Sequence, residues 1–134
     1  MEPADTVRRL FDVVMNGGDL SALDKLLSQS YRDHSPAPGL SDHRDGVRAK
    51  IQAMRAAFTD LHFTLDEIVE QGRTAAARWH WNGTHTGEFN GVAPTGRSVH
   101  VDGMDFYRIV DGRIAEHWDV VDKFGLMSQL EASA

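Results

Sequence analysis

The apolar period of the chain changes once, near Leu61, and that change limits the folds open to it. Before it, Val7, Leu10, Phe11 and Val14 recur at i, i+3, i+4 and i+7, which is one stripe of a helix. Val47, Ile51, Met54 and Phe58 repeat at helical spacing as well. Between them, Leu20, Leu23, Leu26 and Leu27 make a shorter helical set that Asp19 can cap. Gly17-Gly18 stops the first helix, and YRDHSPAPGLSDH (31–43), with two prolines and Gly39, reads as a loop. After Leu61 the pattern alternates. LHFTLDEIVE, TAAARWHWNGTH, SVHVDGMDFYRIV and RIAEHWDVVD read as four strands, and FGLMSQL as a short terminal segment.

Helices first and a mostly antiparallel meander afterwards make an α+β fold. The 134 residues suit a single domain, 1–134. A sheet of this length must twist and curl. Three N-terminal helices packed on one face of it predict a cone-shaped half-barrel enclosing a cavity.

Composition removes several classes of function. With no cysteine there is no disulfide, thiolate zinc site or Cys nucleophile. The net charge of −6 comes without a basic cluster, so neither nucleic acid nor an anionic membrane surface is an expected partner. No apolar run approaches the ~20 residues of a membrane span. MEPADTVRRL has no signal-peptide pattern, and the expected location is cytoplasmic. Despite seven histidines there is no HxH or HExxH spacing, and no P-loop or GxGxxG; no metal and no cofactor is expected.

The chemistry concentrates in the last two strands. Val110-Asp111-Gly112 admits a two-residue turn pairing Ile109 with Ile114, or a three-residue loop with a bulge at Gly112 pairing Ile109 with Arg113. A one-residue slip would flip every side chain. The bulged register sets Asp105 opposite His117 with Asp119 diagonal to it. It collects Val99, Val101, Tyr107, Ile109, Ala115 and Val121 on the same face. A mostly apolar wall with a few polar groups is the make-up of a small-molecule pocket. Two close carboxylates beside an imidazole can take a proton from carbon next to a carbonyl, or protonate an alkoxide. The opposite face, with Met104, Phe106, Ile114, Trp118 and Val120, is too apolar for water and predicts a homodimer through the outer sheet surface. Arg108 and Glu116 lie on that face and can pair.

The blocks YRDHSPAPG, RWHWNGTHTGEFNGVAPTGR and DFYRIVDGRIAEHWDVVDKFGLMSQL carry a resemblance. From about Val7 to Leu130 the chain resembles the SnoaL-like polyketide cyclases (ester cyclases) of the nuclear-transport-factor-two-like superfamily. The resemblance implies a curved sheet around helices, a homodimer, and a cofactor-independent intramolecular aldol closure of a polyketide ring. The family's acid/base aspartate matches Asp119 in HWD. A family histidine on the preceding strand aligns with Asp105, a departure from the cyclase pattern. Related ketosteroid isomerases are similar in placing there an aspartic acid that stays protonated and donates to an oxyanion. The implied catalytic set is Asp119, Asp105 and His117. His34, Trp79, Trp81, His85, Tyr107 and Phe11 are the candidates to contact substrate. The alternatives are a cofactor-free hydroxylase or epoxide-opening enzyme of the same fold, and a small-molecule binding protein without catalysis.

Overall fold

The computed structural model describes residues 2–131. Helix α1 (Pro3–Arg9) starts with Pro3, whose missing N–H costs nothing in a first turn. It runs on as a π-helical segment, Leu10–Asn16. Val7, Leu10, Phe11 and Val14 are all buried, so the apolar stripe is the seam between this helix and the sheet. Arg55 closes the segment's C-terminal end by donating to the carbonyls of Met15 and Asn16 at 2.8 and 3.1 Å. A 3-10 turn (Leu20–Ala22) and the one-turn helix α2 (Leu23–Leu26) follow, with Asp19 accepting from the Ser21 N–H as anticipated.

The stretch read as a loop begins as strand β1 (Leu27–Asp33). Leu27 therefore belongs to the strand. The prolines and Gly39 lie beyond it, so they end the strand without preventing it. Helix α3 (Arg44–Ala57) then covers the sheet, with Ile51 and Ala57 buried. Strands β2 (His62–Gln71), β3 (Thr74–Thr84), β4 (Ser98–Val110) and β5 (Arg113–Val121) form the meander, and helix α4 (Lys123–Glu131) closes the described chain. Asp122 caps α4 through the Gly125 N–H at 2.8 Å. None of the described helices is long and apolar enough to cross a membrane.

The sheet order is β1-β5-β4-β3-β2, antiparallel except for β1, which runs parallel to β5. The sheet is mixed and does not close on itself. Strand β4 alternates buried and exposed along its whole length, the signature of one face on a core and one outside. Asn16 fastens the helical layer to β2: its amide donates to the Phe63 carbonyl at 2.9 Å and accepts the Phe63 N–H at 2.7 Å.

The β4–β5 hairpin corrects the expected register. Asp111 and Gly112 both have positive φ, 52° and 76°, and Val110 pairs with Arg113. This is the two-residue type I′ turn, and it pairs Ile109 with Ile114. A bulge then absorbs Ala115, because Arg108 already faces Glu116. Beyond it Tyr107 pairs with His117, and Asp105 pairs with Asp119, where His117 had been expected. Ile114 turns inward and is fully buried instead of lying on the outer face. The Arg108–Glu116 pair forms outside at 3.1 Å.

Under the helices, Met15, Ile51, Met54, Leu61 and Phe63 line a hollow of about 10 Å³, space for one water. Aromatic rings pack against one another on the inner face: Phe63 contacts Trp79 edge-on at 5.3 Å, and Phe58 contacts Trp81 at 4.9 Å.

Candidate active site

Three strands and one helix deliver the charged groups to one inner spot. Parallel pairing of β1 with β5 sets Asp33 beside His117. The His117 Nδ1–H donates to Asp33 Oδ1 at 3.1 Å. Its Nε2 then faces Asp105 Oδ1 at 3.6 Å and Asp119 Oδ2 at 3.8 Å. Tyr107 donates its hydroxyl to Asp105 Oδ2. From α3, Lys50 Nζ comes within 3.6 Å of Asp119 Oδ2. The loop after β1 is tied in as well: Ser35 N–H donates to Asp33 Oδ1, and Ser35 Oγ accepts the Asp119 N–H.

These groups are buried, so their charges are set by one another. Burial opposes a cationic His117, but the Asp105 and Asp33 carboxylates outweigh it and hold the imidazole up at about 9. Burial also raises Asp33, yet the His117 hydrogen bond and charge, with Ser35 and Lys50, bring its carboxyl below the usual range. Asp119 goes the other way. Burial, reinforced by Asp105 and Asp33, lifts its carboxyl against the opposing pull of Lys50 and His117. Burial and the nearby carboxylates raise the phenols of Tyr31 and Tyr107, so both remain protonated donors. The result is an imidazolium between carboxylates, one of which is a strengthened base.

Asp105, His117 and Asp119 also set one ligand atom each within 4.8 Å of one another, the one such group among the described residues. Their negative charge is already answered by the imidazolium and by Lys50 Nζ, and we assign no metal there.

The other anticipated contacts are dispersed. Phe11, Trp79 and Trp81 are buried on the inner side, with Tyr107 beside the acid group. His85 is fully buried at the end of β3, where its Nδ1 accepts the Thr95 N–H at 3.2 Å and pins the loop before β4. His34 lies outside: its ring stacks on Trp118 at 4.4 Å, with Glu116 at 3.9 Å. Sequence reading passed over Asp33, Tyr31 and Lys50. Tyr31 and Asp33 stand two apart, a strand's signal hidden by the prolines that follow. Lys50 sits within the stripe of Val47, Ile51 and Met54.

Residues 5–130 match the sequence profile of the SnoaL-like polyketide cyclases. The chain belongs to that family. Aklanonic acid methyl ester cyclase DnrD of Streptomyces peucetius is 29% identical over 133 residues, covering 94% of this chain and 88% of the relative. Among solved structures, IdmH of Streptomyces antibioticus, described as a candidate polyketide cyclase, is 34% identical with a TM-score of 0.86. That match covers 98% of this chain and all of IdmH. AclR of Streptomyces galilaeus, described as a candidate hydroxylase, is 29% identical with a TM-score of 0.84, covering 96% and 80% of the two chains. The chain is thus an enzyme of a polyketide cyclase family, with relatives named aklanonic acid methyl ester cyclase.

Proposed function

We propose that this SnoaL-like enzyme closes a ring in a polyketide-derived ester by intramolecular aldol addition, with Asp119 as the base. The observation that carries the reading is the buried carboxylate–imidazolium set, in which Asp119 is raised while His117 stays cationic. Asp119 takes a proton from the carbon between or beside carbonyls. The carbanion, delocalised as an enolate, attacks a ketone carbon of the same molecule and forms a carbon–carbon bond. The ketone oxygen becomes an alkoxide and receives a proton from His117, which Asp119 restores. Substrate and product have one formula, so no co-reactant is consumed. Asp105 serves as an acceptor, from Tyr107 at Oδ2 and facing His117 at Oδ1, which leaves the donor role to His117.

A homodimer through the outer face completes the reading. Met104 and Val120 are 60% and 78% exposed there, and with Val69, Phe106 and Trp118 they line an open groove of about 460 Å³. A second copy laid on this face would remove the apolar area from water.

The test is incubation with aklanonic acid methyl ester, the compound in the name of the curated relatives. A product of unchanged mass and new retention time is expected from the wild type. Asp119→Asn should slow its formation by about 10²–10⁴-fold, the range for loss of a positioned acid or base. Turnover by Asp119→Asn at the wild-type rate would refute the assignment.

A further inference from the structure

Among the described residues, three buried side-chain atoms have no hydrogen-bond partner: Trp79 Nε1, His85 Nε2 and Asp105 Oδ1. A buried N–H without an acceptor is costly, so an unpaired one on the wall of a site marks where a ligand atom belongs. His85 stands beyond the end of β3, where the loop before β4 engages its Nδ1 and not its Nε2. Trp79 and Asp105 belong to the inner face of β3 and β4.

Trp79 and Asp105 project inward from adjacent strands. Trp79 pairs with Gly103, the inward position next to Asp105 on β4, and Gly103 pairs with Val121, the inward position next to Asp119 on β5. The indole occupies the space a side chain at 103 would need. A Cβ built there would lie 2.9 Å from Cε2, the ring carbon that carries Nε1, and would collide with the outer edge of the ring. Glycine at 103 therefore lets the indole of Trp79 lie over β4, at the inward position two residues from Asp105. Of the neighbouring donors, Tyr107 O–H is engaged with Asp105 Oδ2 and His117 Nδ1–H with Asp33, while His117 Nε2–H faces Asp105 Oδ1 at 3.6 Å and Asp119 Oδ2 at 3.8 Å. The Trp79 N–H has no acceptor, and Asp105 Oδ1 has that imidazolium as its neighbour without a hydrogen bond.

Resting on the aldol reading above, we propose that Trp79 donates its indole N–H to the substrate's enolisable carbonyl oxygen, while Asp105 Oδ1 accepts from a hydroxyl one carbon unit away. The site thus selects a 1,3-dioxygenated segment, a β-hydroxycarbonyl or enolised β-dicarbonyl, and orients its acidic C–H to Asp119. No proton leaves Trp79. Its N–H shortens toward the oxygen as negative charge develops there, which is the condition for an oxyanion donor to accelerate a reaction.

Trp79→Phe keeps a ring over Gly103 and removes only the N–H. Its kcat on aklanonic acid methyl ester should fall about 10²–10³-fold, the usual cost of one oxyanion donor, with a much smaller change in KM. Independently, Asp119→Asn protein labelled with ¹⁵N at the indole nitrogens is titrated with the same ester. The Trp79 N–H resonance, assigned by elimination with Trp81→Phe and Trp118→Phe in the same background, should move downfield on saturation. That measurement stands even if Trp79→Phe folds poorly. Wild-type kcat in Trp79→Phe, an unmoved Trp79 resonance, or failure of the ester to bind each overturns the inference. An inactive Asp119→Asn beside a fully active Trp79→Phe would overturn this assignment alone. An active Asp119→Asn would overturn the aldol reading beneath it.

Discussion

Asp33→Asn isolates what one carboxylate does to the site. The amide oxygen can still accept the His117 Nδ1–H now held at 3.1 Å, so the substitution removes charge and keeps shape. The imidazole stands at about 9 against an ordinary 6.5. At roughly 1.4 kcal/mol per pH unit, the folded protein favours the cation by about 3 kcal/mol. Asp105 and Asp33 both supply that preference, on opposite nitrogens and against the opposing pull of burial, so losing Asp33 should bring His117 well down from 9 toward its ordinary value. The sign for stability follows. A raised histidine stabilises the fold fully below pH 6.5, and the contribution disappears as pH rises through 9. The variant should therefore unfold more easily at pH 6, by a share of those ~3 kcal/mol, and lose the remaining dependence at a pH below 9. Asp33 itself is lowered, so its own contribution is present above its ordinary 3.8 and is lost as acid protonates it. That acid-side loss should be absent from the variant. The assay is the pH titration of the His117 Cε1–H resonance, assigned with His117→Gln, together with urea unfolding between pH 4 and 9. A His117 that titrates near 9 in both proteins would refute the reasoning.

Lys50→Met removes the cation 3.6 Å from Asp119, whose pull lowers that carboxyl. Asp119 should rise further, and the acid limb of the kcat–pH profile should move to higher pH; an unmoved limb would dissociate Lys50 from the base. Asn16→Ala leaves the Phe63 N–H and carbonyl without their partners. It should cost about 2–3 kcal/mol by urea unfolding, and a cost under about 0.5 would show that the helical layer needs no such fastening. Val120→Lys places a charge at the 78% exposed centre of the outer apolar face. Sedimentation should show a monomer for the variant and a dimer for the wild type at the same micromolar concentration; two dimers would move the interface elsewhere.

The helices and four of the strands were legible because their apolar residues repeat at one clean period. Val7, Leu10, Phe11 and Val14 go to the core whichever turn of helix they form, so the π-helical geometry of Leu10–Asn16 leaves no trace in the pattern. Strand β1 was lost for a different reason. Its inward residues Tyr31 and Asp33 are polar, and their value lies in facing His117 across a parallel pairing that joins distant segments. Local alternation cannot report a partner 84 residues away. The hairpin is the instructive case. The turn was assigned one residue too long, and a two-residue turn alone would have set Asp105 and Asp119 on opposite faces. The bulge at Ala115 adds a second one-residue slip in the same direction, so beyond it the register stands two residues from the expected one and face parity is recovered. Two one-residue slips therefore keep the site's side chains on their expected face with new partners, and reverse the face between them, which is why Ile114 is the residue that moved. What the charges demanded was their shared face, and the chain satisfies that demand by a backbone route that an alternating pattern leaves open.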